Sequence, residues 1–131
     1  MDLNVRIIHH KDFLKMTPSG EIDLDKSKQL LLSIASVNKP PNKYDVLVDF
    51  RDTTPQLTIV GITKLVDVMI NNRTSFRYKL AILTPQGRGL ELAKFMEVYA
   101  QNRGFQVAAF DNFEEAMLWL STITDIVPEE G

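Results

Sequence analysis

The hydrophobic pattern of the chain alternates between short β-prone runs and longer segments with helical spacing. Runs of aliphatic and β-branched residues at 44–50, 78–83 and 105–110 are typical of buried strands. Each run is followed by a segment in which apolar residues recur every three or four positions, as they do on one face of a helix. This βαβαβα order predicts an α/β fold with parallel strands, because the crossover connections are right-handed.

The N-terminal segment adds a predicted antiparallel strand pair. Val5 to His9 is a short β-prone run, Phe13 to Thr17 is its expected partner, and Pro18-Ser-Gly20 is a turn sequence. We therefore expect a mixed, mostly parallel sheet of about four to five strands with about four helices. We also expect a single domain over residues 1–131, in which residues 122–131 form a flexible tail.

Cap and stop signals set the predicted limits of the helices. Asp23 is a suitable N-cap for a helix that runs to about Val37, where Asn38-Lys-Pro-Pro-Asn42 ends it. Thr54-Pro55 predicts the start of a second helix, because a threonine cap followed by proline is a strong helix-start signal. Asn112 is expected to cap the last helix.

The predicted helix over residues 55–71 is apolar on more than one face. One face is expected to pack on the sheet. The surplus apolar side chains either pack against another helix of the same chain or meet a second subunit. Burial within the chain is the simpler alternative, and a homodimer through helix 55–71 is the other.

Composition narrows the classes of function. The chain is 44% hydrophobic and 24% charged, with a net charge of −2 and no cysteine, so disulfides and thiolate chemistry are excluded. Without a basic footprint we expect no nucleic-acid partner. The sequence has no apolar run long enough to span a bilayer and no signal-peptide pattern, so we expect a cytoplasmic protein without a membrane span.

Polar side chains collect where the predicted parallel strands end, which is where open α/β sheets bind ligands. Arginines, hydroxyl groups and helix N-termini at this edge can hold an anion. Alternatively, the same side chains cap helices and pair charges at a solvated rim. We expect the Arg51→Ala and Arg88→Ala variants to fold normally. The candidate residues for binding a ligand or partner are Arg51, Asp52, Thr53, Thr54, Thr58, Thr84, Gln86, Arg88 and Asp111.

The common catalytic and nucleotide-binding motifs are absent. The sequence contains no G-x-G-x-x-G, no G-K-[ST] and no G-x-S-x-G. His9 and His10 are the only histidines and point to opposite faces of a strand, so neither a Ser-His hydrolase nor a shared metal site is expected. Asp49 and Asp52 resemble an acid–base pair, but Arg51 beside them is expected to hold them ionised. We predict no catalytic residue, metal or cofactor.

The segment from Tyr44 to Leu120 resembles the SpoIIAA-like family of small bacterial domains, which are related to STAS domains and share their general shape with SEC14-type lipid-binding folds. The resemblance implies a mixed sheet with helices and a non-catalytic regulatory or ligand-sensing role. It rests on Tyr44-Asp-Val-Leu-Val-Asp-Phe50, Tyr78-Lys-Leu-Ala-Ile-Leu83 and Val107-Ala-Ala-Phe-Asp-Asn-Phe-Glu-Glu-Ala-Met-Leu-Trp-Leu120.

The chain departs from the STAS pattern at one functional position. The STAS anti-sigma-factor antagonists that it resembles carry an Asp-Ser pair at the start of the helix after the central strand, and that serine is phosphorylated. This chain has Thr53-Thr-Pro-Gln-Leu-Thr58 there, which leaves Thr54 and Thr58 as the candidate acceptors.

Two function hypotheses follow from the sequence. The first is a non-enzymatic regulatory or protein-interaction domain of the STAS-like type, which meets an unknown protein partner through the loop edge or helix 55–71. The second is a small-molecule or lipid carrier with an apolar pocket near helix 55–71, as the SEC14 likeness implies.

Overall fold

A five-stranded sheet organises the structure, a computed structural model that describes residues 5–8 and 13–122. The residues predicted to form the C-terminal tail, apart from Thr122, lie outside the described residues, as do His9 and His10. In chain order the elements are β1 (Val5–Ile8), β2 (Phe13–Met16), β3 (Gly20–Ile22), α1 (Leu24–Val37), β4 (Asp45–Asp49), β5 (Thr53–Pro55), α2 (Ile59–Asn71), a 3₁₀ turn (Arg73–Ser75), β6 (Leu80–Leu83), α3 (Arg88–Gln101), β7 (Val107–Phe110) and α4 (Phe113–Ser121).

The sheet is mixed and mostly parallel. Its strand order is β1-β2-β4-β6-β7, with β1 antiparallel to β2 and the remaining neighbours parallel. In the centre of the sheet Val46 pairs with Leu80, which in turn pairs with Val107. The predicted α/β class, the N-terminal antiparallel pair and the parallel βαβ units are therefore confirmed.

Side chains alternate between the two faces of this sheet. On one face, Val48 and Ile82 pack against α1, α2 and α3 in the larger hydrophobic cluster. We call it the three-helix face. On the opposite face, Leu47 and Ala81 pack with Ala116 of α4 in a smaller cluster, and we call it the α4 face. The near-continuous apolar runs of β4 and β6 are explained by this coverage on both sides.

The predicted helix start at Thr54-Pro55 is wrong. These residues belong to β5, which pairs in parallel with β3 as a separate two-stranded sheet. Backbone hydrogen bonds hold this pairing. Gly20 N donates to Asp52 O at 3.1 Å, and Gln56 N donates to Ile22 O at 2.8 Å. Proline is compatible with β5 because this strand lies at a sheet edge, where a missing N–H is tolerated.

Helix α2 begins at Ile59 with Thr58 as its N-cap. The Thr58 hydroxyl oxygen accepts a hydrogen bond from Gly61 N at 3.0 Å. The two other predicted caps are confirmed, since the side chains of Asp23 and Asn112 each accept a backbone N–H in the first turn of α1 and α4. A threonine precedes both Pro55 and Ile59, and tertiary pairing decides which of the two caps the helix.

Helix α2 lies between α1 and α3 and buries most of its apolar side chains, including Ile62, Leu65 and Met69. Ile59 and Val60, in its first turn, remain 41% and 63% exposed. Within the described part of the chain, no helix is long and apolar enough to cross a membrane.

The outer edge of β7 is covered by side chains of α3. Lys94 Nζ donates to Ala109 O at 3.0 Å, and Ala109 N donates to a carboxylate oxygen of Glu97 at 2.8 Å. Gln101 Nε2 donates to Val107 O at 3.0 Å. An open strand edge attracts a further strand from another chain. Here Val107 O, Ala109 O and Ala109 N, which such a strand would bind, are already paired.

Candidate functional site

An apolar cavity of about 80 Å³ lies within the three-helix face, near the carboxyl ends of β4 and β6. Helices α1, α2 and α3 form its walls together with those two strands, through residues such as Leu31, Leu65 and Met96. The small β3–β5 sheet contributes Ile22 and Pro55 to the lining. The cavity therefore lies beneath the segment where the sequence predicted a helix start.

Ser27 of α1 lines this cavity and is 5% exposed. Its backbone N donates to Asp23 O at 3.0 Å, but its hydroxyl has no hydrogen-bond partner among residues 13–122. A serine inside a helix commonly bonds the carbonyl one turn earlier, and a buried hydroxyl left unpaired costs about 1–3 kcal/mol. Ser27 is absent from the predicted site, although it interrupts the apolar stripe formed by Leu24, Leu31 and Ile34.

Two predicted site residues, Thr53 and Thr84, also line the cavity. The Thr53 hydroxyl donates to Phe50 O at 2.7 Å. Thr84 is buried, and a Cβ added at Gly89 would lie 2.7 Å from its Oγ1. Glycine at position 89 is thus required by the close approach of α3 to Thr84, which shapes one wall of the cavity.

Arg51 lies on the α4 face and pairs with Asp49. Arg51 Nε and Nη2 donate to the two carboxylate oxygens of Asp49 at 2.9 and 2.8 Å, and Arg51 N adds a third bond at 3.0 Å. The guanidinium carbon lies 5.6 Å from the centre of the Phe113 ring, and Lys15 Nζ lies 5.4 Å from the same centre. Such positions are typical of cation–π contacts.

The sequence predicts that Arg51 holds Asp49 and Asp52 ionised, and the electrostatics match this prediction at Asp49. Burial raises the pKa of the Asp49 carboxyl. The hydrogen bonds from Arg51 and the positive charges of Arg51 and Lys15 together lower it by more, so the net pKa lies below the ordinary value of 3.8. The same pairing raises the pKa of Arg51. A carboxyl with a lowered pKa is unsuited to proton shuttling near neutral pH.

The bidentate geometry revises the expectation that Arg51→Ala folds normally. Asp49 is 8% exposed, so removing Arg51 leaves a buried carboxylate with fewer partners. Arg88 differs, because it is exposed and only 3.7 Å from Glu91 within the first turn of α3. The two arginines are each next to a carboxylate, and an anion at the rim must compete with those carboxylates.

The remaining predicted residues lie on exposed loops and on β5. Gln86 Nε2 donates to an Asp111 carboxylate oxygen at 2.9 Å, which links the loops after β6 and β7. Asp52 is exposed and uses its backbone carbonyl to accept the bond from Gly20. Thr54 is exposed on β5. Thr58 caps α2. The structure therefore spreads the predicted site residues over the cavity, the α4 face and the exposed rim and does not bring them together in one site.

Among the described residues, no group of three or more His, Asp or Glu side chains is placed to hold a metal ion.

Comparison with known proteins finds similar structures but no matching sequence family. No protein-family model and no curated protein matches the sequence. An uncharacterised protein of the DUF3478 family with a SpoIIAA-like fold, from Shewanella loihica PV-4, aligns with a TM-score of 0.60 at 13% identity, over 91% of this chain and 92% of the other. The anti-sigma factor antagonist SpoIIAA in its unphosphorylated form aligns with a TM-score of 0.55 at 14% identity, over 89% and 94%. The chain therefore has a SpoIIAA-like fold, as its sequence predicted.

Proposed function

We propose that this protein is a non-enzymatic regulatory domain that acts by binding a protein partner at the start of α2. The observation that carries the proposal is the exposure of Ile59 and Val60 in the first turn of that helix. The similar fold of SpoIIAA, described as an anti-sigma factor antagonist, supports a regulatory role. The surface at 54–60 is called the α2 patch below.

The α2 patch has the layout of a small interface. Two apolar side chains lie beside the exposed polar residues Thr54, Gln56 and Thr58. Protein interfaces commonly place apolar contacts at the centre and polar groups around them. Strand addition at β7 is disfavoured because α3 occupies that edge. A partner can instead pack side chains on the α2 patch, where Ile59 and Val60 are adjacent exposed apolar residues.

Local chemistry supports binding rather than catalysis. Asp49 has a lowered pKa and is held by Arg51. General acids and bases instead have pKa values tuned toward the working pH. Neither structural neighbour is described as an enzyme.

The proposal is tested with Val60→Asp, which places a charge at the centre of the α2 patch. The matched control is Val98→Asp, because Val98 is 57% exposed on α3. Wild type and both variants serve as baits for affinity capture from the source organism, after circular dichroism shows that each folds. We expect a protein that wild type and Val98→Asp retain and Val60→Asp loses. Equal capture by all three baits contradicts the proposal.

A second copy of the chain is one candidate partner for the α2 patch. Light scattering coupled to size-exclusion chromatography measures this directly. A wild-type dimer that Val60→Asp dissociates and Val98→Asp preserves identifies the partner as a second copy. A dimer that survives Val60→Asp places its interface elsewhere.

A small-molecule carrier is the second candidate function, and the cavity is the observation that favours it. Ile62 and Leu65 of α2 line the cavity, so it lies where the carrier hypothesis requires a pocket. Its volume of about 80 Å³ is well below the roughly 300–1,000 Å³ of pockets for drug-sized ligands. The geometry thus favours a small molecule over a lipid.

A further inference from the structure

We propose that the cavity of the three-helix face binds a small, neutral, mostly apolar molecule whose single hydroxyl or carbonyl oxygen meets Ser27. This inference deepens the carrier function by naming the chemical class of ligand and its anchor. It does not rest on the proposed protein interaction, which concerns the exposed α2 patch.

The volume of the cavity sets the size of the ligand. About 80 Å³ is several times what one water molecule needs, which is roughly 10–15 Å³. An engineered apolar cavity of about 150 Å³ encloses benzene. The present cavity has about half that volume and is partly open to solvent, so it suits a molecule smaller than benzene. A compact branched molecule fits this limit better than an extended chain.

The polarity of the lining sets the chemistry of the ligand. Nearly all the described lining residues are apolar, and the polar side chains among them are Ser27, Thr53 and Thr84. The Thr53 hydroxyl already donates to Phe50 O, and Thr84 Oγ1 faces the close approach of Gly89. The unpaired Ser27 hydroxyl is therefore the better anchor. A ligand with one polar atom satisfies Ser27 and leaves the apolar walls in contact with apolar atoms.

The charge of the lining requires a neutral ligand. Among the described residues, no Lys, Arg, His, Asp or Glu side chain lines the cavity. A carboxylate or an ammonium group inside it would be buried without a counter-charge, which is strongly unfavourable. A serine hydroxyl offers one donor and two acceptor positions. It can therefore serve an alcohol or a carbonyl compound equally well.

The test uses isobutanol and 1-chloro-2-methylpropane, which have the same branched shape and differ by a hydroxyl in place of chlorine. Dissociation constants for both probes are measured by NMR titration of wild type, Ser27→Ala and Ser36→Ala. Ser36 is the matched control because it is exposed on the same helix. We expect Ser27→Ala to weaken isobutanol binding about three- to tenfold relative to the chloride, as the loss of one hydrogen bond predicts. Ser36→Ala should leave the ratio unchanged.

A second variant tests the location of the site. Ala93 lines the cavity from α3, and Ala93→Leu fills part of the space. We expect this variant to fold and to lose binding of both probes. The proposal is overturned if neither probe binds wild type, if Ser27→Ala leaves the ratio of the two constants unchanged, or if a folded Ala93→Leu binds both probes as wild type does.

Discussion

Ser27 and Asp49 are both buried polar residues, on opposite faces of the same sheet, and their surroundings differ completely. Asp49 receives three hydrogen bonds from Arg51, two residues along the chain. Ser27 lines an apolar cavity, and its hydroxyl has no partner within residues 13–122. A paired carboxylate stabilises the fold and has little left to offer a ligand. An unpaired hydroxyl gains a full hydrogen bond when a ligand supplies one.

The comparison also shows that a charged side chain is not necessarily free to bind a ligand. Arginine side chains commonly bind anions, yet Arg51 is held by Asp49 and Phe113. In the described part of the chain the cavity is lined by uncharged side chains, and it retains space and the unpaired Ser27 hydroxyl. The proposed small-ligand site therefore lies on the three-helix face, not at the charged rim.

The largest expected effect contrasts packing on the two faces. Ala81 is fully buried in β6 on the α4 face, whereas Ala93 lines the cavity. Ala81→Leu should lower the free energy of unfolding by about 1–3 kcal/mol, because extra atoms overpack a filled core. Ala93→Leu should be neutral or stabilising by up to about 1 kcal/mol, because it fills existing space. Urea denaturation measures both changes. If the two variants lose the same free energy of unfolding, the two faces do not differ in how tightly they are packed.

Removal of Arg51 tests the pairing on the α4 face. Arg51→Ala should lower the free energy of unfolding by about 1–2 kcal/mol, because the buried Asp49 carboxylate loses two charge-assisted hydrogen bonds. The control is Arg88→Ala, which should change it by less than about 0.5 kcal/mol, since exposed ion pairs contribute little. Both are measured by urea denaturation at pH 7. An Arg51→Ala protein as stable as Arg88→Ala would show that the pair is dispensable.

Two threonines distinguish the observed start of α2 from the predicted one. Thr58→Ala should lower stability by about 1 kcal/mol, because it removes the acceptor for Gly61 N. Thr54→Ala, at the exposed position that sequence favoured as the cap, should cost less than about 0.5 kcal/mol. Thermal unfolding of the two variants provides the comparison. A larger stability loss for Thr54→Ala than for Thr58→Ala would instead support a helix start at Thr54-Pro55.

Acid should erase the contribution of the Asp49–Arg51 pair. The folded-state pKa of Asp49 is lowered below its ordinary value of 3.8, so the pair stabilises the fold above that pH. The contribution is lost as pH falls through the folded-state pKa. The stability difference between wild type and Arg51→Ala should therefore stay constant from pH 7 to about 5 and shrink below about 4. If the stability difference between wild type and Arg51→Ala grows as the pH falls, this account of the pair is contradicted.

The extent to which sequence predicts this molecule depends on the range of the interactions. The Asp49–Arg51 pair and the Asn112 cap are predictable, because their partners are neighbours in the chain. Pairing of β3 with β5 joins three-residue segments about 30 positions apart, and it overrides the local Thr54-Pro55 signal. The cavity is less predictable still, since its walls come from many elements. Ser27 on an apolar stripe is the one local clue to it.

The central claim is that small ligands are recognised by the cavity and not by the charged rim. Backbone amide chemical-shift mapping of the wild-type protein, titrated separately with isobutanol and inorganic phosphate, tests it most directly. We predict saturable isobutanol shifts at cavity residues such as Leu31, Val48 and Leu92, and no saturable phosphate shift at Arg51 or Arg88. Saturable phosphate binding at those arginines, with no isobutanol response in the cavity, would contradict the account.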